Sequence, residues 1–152
     1  MATPLGPPQM PRIQPAYPHL LADDTVIWTR WLEHNIHRIS GVWYDVHVGE
    51  PLAVPVGLHP SVQVDALAVT RKRIDVVARA AGEIWVIEVK AWGGYVPLGQ
   101  ALVYSRLFAT EHHTGWPVVP TVICAEIDPD LVDDYARFGV HWEEVGYPPH
   151  HL

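Results

Sequence analysis

Three charged residues in the middle of the chain have the types and the spacing to bind a metal ion and activate water. Glu88 and Lys90 lie two positions apart in an apolar segment, so both side chains leave the same face of a β-strand. Asp75 lies within the preceding apolar segment. Two carboxylates that converge there suit a hard cation such as Mg²⁺ or Mn²⁺. Lys90 beside such a cation could hold a water molecule or neutralise the charge that develops on a phosphate.

A tight β-hairpin is predicted to bring these two segments together. Its strands are predicted over 73–79 and 84–90, and Gly82 between them can supply the positive φ that a short turn needs. The short turn places the carboxylate of the first strand beside the charged pair of the second. Two alternatives stay open: the three residues form a structural salt-bridge cluster at the end of a sheet, or Asp65 takes the role of Asp75.

The other predicted elements describe an α/β fold. Asp23 and Asp24 suit the first turn of a helix, which is predicted to end at Ser40-Gly41. The apolar stripe of this helix consists of Trp28, Leu32, Ile36 and Ile39. The later patterns predict a strand over 42–48, a helix over 98–110, a strand over 117–125, a helix over 128–138 and a strand over 140–145. With the hairpin, the order α-β-β-β-α-β-α-β indicates a mixed sheet with helices on its faces.

Composition bounds the organisation of the chain. Its 152 residues suit one domain over 20–147, followed by a short tail over 148–152. Six prolines within residues 1–19 favour an extended or disordered arm. The single cysteine, Cys124, excludes a disulfide framework. No apolar run approaches the roughly 18 residues that span a bilayer, and no secretory signal is evident, so we expect a cytoplasmic protein without membrane contacts.

The charge is unevenly distributed along the chain. The net charge is −7 with neutral histidines, but residues 71–106 hold six basic and three acidic side chains. A locally basic segment can contact a phosphate backbone even when bulk charge does not favour polyanions. Arg71-Lys72-Arg73 therefore either contacts nucleic acid or is a solvated start of a strand. Trp92 follows the hairpin directly. It either stacks on a base, or it packs in the core or anchors a loop.

The hairpin with Asp75 and Glu88-Val89-Lys90 resembles the PD-(D/E)XK nuclease superfamily. The α-β-β-β-α-β core of that family agrees with the predicted order of elements. Gln100 and Tyr104 resemble the Q-x-x-x-Y element of the RecB-like and lambda-exonuclease-like branch, and they lie one helical turn apart on one face. The resemblance covers residues 24–145 in topology and 75–104 in motif. Ile74 stands where the proline of the family's motif would be.

The resemblance implies a role for each matching residue. Asp75 and Glu88 would be metal ligands, with the Val89 carbonyl as a further ligand, and Lys90 would be the catalytic lysine. Gln100 and Tyr104 would bind the substrate or support the site. Many members of the family also use a glutamate on the first helix, for which Glu33 is the candidate in this chain.

The expected activity is therefore that of a Mg²⁺- or Mn²⁺-dependent nuclease with a restriction-endonuclease-like fold. It would hydrolyse phosphodiester bonds, most readily in DNA, as a homodimer or within a larger assembly. A second interpretation is a non-catalytic structural or docking protein with the same fold, in a phage particle or a DNA-processing complex. A third is a small metal hydrolase that acts on another phosphate ester.

Overall fold

The structure is a computed structural model, and it describes residues 4–52, 57, 59–62 and 71–149. It has the predicted order of helices and strands, and its fold is α/β with a five-stranded mixed sheet flanked by helices. Its main elements are α1 (Ala22–Asn35), β1 (Ile39–Val48), β2 (Lys72–Ala80), β3 (Glu83–Gly93), α2 (Tyr95–Glu111), β4 (Val118–Ile127), α3 (Val132–Arg137) and β5 (His141–Glu144). Asp65 lies outside the described residues.

The strands follow one another across the sheet in chain order, β1-β2-β3-β4-β5. β1, β2 and β3 are antiparallel neighbours, whereas β4 runs parallel to β3 and β5 runs parallel to β4. Gly82, at φ +80°, forms the predicted turn between β2 and β3. The parallel pairs need crossover connections, which α2 and α3 supply.

The two faces of the sheet are covered by different helices. On one face, the side chains of α1 pack on β2, β3 and β4, and Trp28, Trp31 and Leu32 are fully buried there. On the opposite face, α2 contributes Phe108 to a cluster with Ile84 and other apolar residues of β1, β2 and β3. None of the helices in the described part of the chain is long and apolar enough to cross a membrane.

The proline-rich arm is extended where the structure describes it, and it packs against the edge of the sheet. Gln9 and Val42 of β1 exchange backbone hydrogen bonds of 2.8 and 3.0 Å. Tyr17 is only 4% exposed, and its hydroxyl lies 2.9 Å from the hydroxyl of Thr29 on α1. The arm thus pairs with the edge of β1 at one point and adds the Tyr17 ring to the core.

The first helix is shorter than the apolar stripe predicts. α1 ends at Asn35, a 3₁₀ turn follows over Ile36–Arg38, and Ile39 already begins β1. The predicted helix was too long because Ile39 continues the helical spacing of the stripe although it belongs to β1. The helix predicted over 128–138 is likewise a 3₁₀ turn over Pro129–Leu131 followed by the short α3.

Candidate active site

The candidate site lies where β2 and β3 separate. Their ladder begins at the hairpin turn and ends with the pair Val76 and Ile87. Beyond this pair, β2 continues alongside β1, and β3 continues alongside β4. Asp75 and Glu88 are the residues that follow the last pair, one on each strand. We refer to this divergence of the two strands as the fork.

The Asp75 side chain links the two strands at the fork by a hydrogen bond. Its Oδ2 atom accepts a hydrogen bond of 2.9 Å from the backbone N–H of Val89. This N–H has no backbone carbonyl of β2 opposite it, because the ladder has already ended. The carboxylate thus replaces a strand carbonyl at the point where the ladder stops. Because the N–H and C=O of a strand residue point to the same side, the Val89 carbonyl also faces the fork.

Glu88 is the most deeply buried carboxyl of the fork. It is 2% exposed, and its Oε1 atom is buried without a hydrogen-bond partner in the described part of the protein. Burial raises the pKa of Glu88 well above its usual range, and the neighbouring Asp75 charge raises it further, whereas Lys90 opposes the shift. Burial also raises the pKa of Asp75. The pair therefore resists carrying two negative charges unless a cation compensates them.

Asp24 of α1 is a further carboxyl at the site, which the sequence analysis assigned only to the first helical turn. It is 8% exposed, and its Oδ2 atom lies 3.9 Å from Nζ of Lys90. Burial raises the pKa of Asp24, Lys90 lowers it and Asp75 raises it, so the three groups influence one another electrostatically. The sequence does contain a signal: Asp24 precedes the buried Trp28 and Trp31 by four and seven positions, which places it on the core-facing side of α1.

Glu33, the expected carboxylate of the first helix, is not brought to the fork. It is exposed, and it follows Asp24 by nine positions, which is half a turn away in helical angle. It also lies about 13.5 Å farther along the helix axis. Glu33 was expected because the resemblance implies a glutamate on the first helix, but the resemblance does not specify which end of that helix approaches the site.

Gln100 and Tyr104 lie on α2, one turn apart, and both are partly buried. The Oε1 atom of Gln100 is buried, and no described residue pairs with it. Burial and the charges of Glu88 and Asp75 raise the pKa of Tyr104, while the Gln100 side chain lowers it. These shifts indicate that both side chains lie near the two carboxyls.

The donor set at the fork fits a hard cation with few protein ligands. Among the described residues, no group of three or more His, Cys, Asp and Glu side chains is arranged to hold a metal ion. The fork instead offers the carboxylates of Asp75 and Glu88 and the carbonyl of Val89. Mg²⁺ is commonly bound by one or two carboxylates and keeps several water ligands. The unpartnered Oε1 atom of Glu88 is an available ligand of this kind.

Two of the three residues in the basic run at the start of β2 are held in internal ion pairs. Arg71 is 2.6 Å from Oε2 of Glu111 at the end of α2, and Arg73 forms a two-armed pair with the carboxylate of Asp45 on β1. Lys72 between them is exposed. Arg71 and Arg73 therefore stabilise the fold rather than offer free charges to phosphates.

The comparisons with known proteins add little to this picture. No family model and no curated protein matches the chain. Among solved structures, it is similar to a protein of unknown function, AF1548, with a TM-score of 0.45 and 18% identity over 80% of this chain. The match covers 56% of that protein, so the chain spans just over half of its length.

Proposed function

We propose that this chain is a metal-dependent nuclease with a restriction-endonuclease-like core. The observation that carries the proposal is the fork, where a buried carboxyl with an unpartnered Oε1 atom lies beside Asp75 and Lys90. A buried carboxyl oxygen without a hydrogen-bond partner is costly for stability alone, and such groups are concentrated at functional sites. The resemblance of the same residues to the PD-(D/E)XK pattern, and of Gln100 and Tyr104 to its RecB-like branch, favours phosphodiester hydrolysis over other metal chemistry.

Each side chain has a distinct role in this proposal. Asp75, Glu88 and the Val89 carbonyl would hold Mg²⁺ or Mn²⁺, which when bound lowers the pKa of water and polarises a phosphoryl oxygen. Lys90 orients the attacking water and offsets charge on the phosphate. Asp24, 3.9 Å from Lys90, positions the ammonium. The unpaired Gln100 oxygen and the Tyr104 hydroxyl would contact the substrate or the water around it.

The substrate proposed is nucleic acid, with DNA as the first choice. The net charge of −7 and the internal pairing of Arg71 and Arg73 disfavour autonomous duplex binding. A homodimer or a larger assembly would supply the missing contacts. A docking protein with the same core stays the alternative interpretation, and it requires neither metal binding nor cleavage.

Cleavage of supercoiled plasmid and of linear single- and double-stranded DNA tests the proposal. The wild-type chain should cut with Mg²⁺ or Mn²⁺ and not with EDTA. Lys90→Ala and Glu88→Gln should each lower the rate at least 100-fold, in keeping with the loss of a positioned catalytic group. Glu33→Gln is the matched control and should cut at the wild-type rate. Cleavage that Lys90→Ala and Glu88→Gln leave intact would reject the proposed site.

A further inference from the structure

Trp92 is an exposed aromatic residue two positions beyond Lys90 on the same strand. It is 46% exposed although it lies at the end of the most buried strand of the sheet. Residues two apart on a strand share a face, so the indole and the Lys90 ammonium lie on the same side of β3. Their Cα atoms are separated by about 6.7 Å along the strand, so one bound strand can contact both side chains.

The backbone at Gly94 fixes the position of the indole. A Cβ atom at Gly94 would lie 3.1 Å from Cδ1 and 3.3 Å from Nε1 of Trp92. The ring therefore lies directly against the chain where β3 leads into α2. A glycine there allows this close approach, so the ring is held beside the backbone while nearly half of the residue remains exposed to solvent.

Two further exposed apolar residues follow Trp92 closely in the chain, at the start of α2. Tyr95 and Val96 in the first turn of α2 are 75% and 56% exposed. We refer to Trp92, Tyr95 and Val96 as the mouth patch. Two aromatic rings and a valine that are exposed together beside a candidate active site are typical of a binding surface.

The charges of the described residues favour one kind of occupant. Besides the pairs of Arg71 and Arg73, Arg38 is bound to Glu143 at 2.7 Å. These pairs and the net charge of −7 disfavour contacts along a phosphate backbone, on which duplex binding depends. Stacking on aromatic rings needs no charge and tolerates any base, but it requires a base whose face is exposed. Unpaired nucleotides meet this requirement, whereas the bases inside a duplex do not.

We propose that the mouth patch is a stacking platform for an unpaired nucleobase next to the phosphate held at the fork. This inference rests on the proposed function and narrows its substrate class to single strands and to frayed or overhanging ends. Trp92 supplies the main ring face, and Tyr95 extends the platform towards solvent. A base seated there orders the strand so that the neighbouring phosphate reaches Lys90.

The test measures the binding of fluorescent 12-nucleotide DNA, single-stranded or as a blunt duplex, by anisotropy. All variants carry Lys90→Ala so that the DNA stays intact. Trp92→Ala should weaken single-strand binding about 5- to 150-fold, the range for the loss of one stacked base. Trp92→Phe should recover most of the affinity, since it keeps a ring. Trp116→Ala is the control, because Trp116 is 41% exposed at the opposite end of β3, where the Arg79 guanidinium lies over its ring.

Three results would overturn the platform. The first is single-strand binding that Trp92→Ala does not change, and the second is an equal loss for the blunt duplex. The third is a dimer that Trp92→Ala converts to monomer in sedimentation, which would make the patch a contact between two copies. The binding assay is independent of cleavage. If DNA binding depends on Trp92 but the wild-type chain cuts no DNA, only the proposed nuclease function is rejected. If the wild-type chain cuts DNA but binding does not depend on Trp92, only the stacking platform is rejected.

Discussion

At the scale of single residues, Glu88 shows a conflict between stability and the proposed activity. Its carboxyl is 2% exposed, lacks a partner at Oε1 and faces the Asp75 carboxyl. Burial and repulsion both make the ionised form unfavourable in the folded chain. The free energy of unfolding of the metal-free protein is therefore lowered at neutral pH, and a bound divalent cation would remove this destabilisation.

Glu88→Gln removes this cost and should stabilise the metal-free protein. We expect the free energy of unfolding at pH 7.5 in EDTA to rise by about 1 kcal/mol, because a neutral amide of the same shape avoids the buried charge. Urea unfolding measures the change. Mg²⁺ should stabilise the wild-type chain and not the variant, since only the former binds it.

Glu126→Gln is the control for the loss of a carboxylate as such, because Glu126 is exposed on β4. Its stability should differ from that of the wild type by no more than about 0.5 kcal/mol. A Glu88→Gln protein that is less stable than the wild type in EDTA would show that the carboxyl serves the fold, as the salt-bridge interpretation requires.

The residue types and their spacing predicted Asp75, Glu88 and Lys90 as one group, and the fold does bring them to one place. The same reasoning missed Asp24, since two acids at the start of a helix have a sufficient explanation in the helix dipole. Only the packing of α1 across the sheet shows that Asp24 approaches Lys90. A carboxylate on the buried stripe of a helix is the general signal for such a residue.

At the scale of elements, α2 carries Gln100 and Tyr104, and its far end is fastened to β1. The Glu111 carboxylate accepts hydrogen bonds from the backbone N–H of Gly49 and from Arg71 at 2.6 Å. Arg71 Nε also donates to the Gly49 carbonyl at 2.8 Å. This network fixes the helix relative to the sheet on which the fork lies.

Arg71→Met should therefore lower stability without changing binding to nucleic acid. We expect a loss of about 2–3 kcal/mol in the free energy of unfolding, because Glu111 loses a charged hydrogen-bond partner. Lys72→Met is the matched control: Lys72 is exposed, so its removal should have little effect on stability. Urea unfolding and oligonucleotide anisotropy report the two properties. Weaker DNA binding by a fully stable Arg71→Met protein would instead identify a phosphate contact.

Two apolar segments predicted the strands of the hairpin, and Gly82 predicted its turn. The fork could not be predicted in the same way. Apolar residues lie on both sides of Asp75 and of Glu88 in the sequence, so nothing in the pattern marks where two neighbouring strands part. That point depends on β2 pairing with β1 and β3 pairing with β4, which are contacts between distant segments.

At the scale of the whole molecule, the carboxyls fall into two groups with opposite effects on pH stability. The pKa values of Asp24, Asp75 and Glu88 are raised, chiefly by burial. The pKa of Glu143 is lowered far below its usual range by hydrogen bonds from His141, Arg38 and Trp31, which outweigh its burial. Glu143 thereby joins α1 and the turn after it to the edge strand β5.

Glu143 should stabilise the protein at neutral pH and lose this effect in acid. A lowered folded-state pKa contributes stability that is fully present above the unfolded value, about 4.3, and declines as the pH falls below it. Glu143→Gln should cost about 2 kcal/mol at pH 7 and clearly less at pH 3. Thermal or urea unfolding of both proteins across this range gives the difference. A difference that stays constant with pH would contradict the assignment.

The boundary of the domain depends on how the N-terminal arm packs against the rest of the molecule. Proline content correctly indicates an extended chain before residue 20, but it does not show that Tyr17 enters the core beside Tyr44. A single buried aromatic residue in a proline-rich segment has no periodicity to reveal it. Tyr17 thus anchors the described arm to the core of the domain.

The central claim is that Asp75 and Glu88 at the fork bind a divalent cation. Calorimetric titration of Mn²⁺ into the wild-type chain, Glu88→Gln and Glu33→Gln tests it most directly. We predict that the wild type and Glu33→Gln bind with the same stoichiometry and affinity, and that Glu88→Gln binds at least about tenfold more weakly, as expected when a ligand of a metal site is lost. Absence of binding to the wild type, or equal binding by all three proteins, would contradict the account.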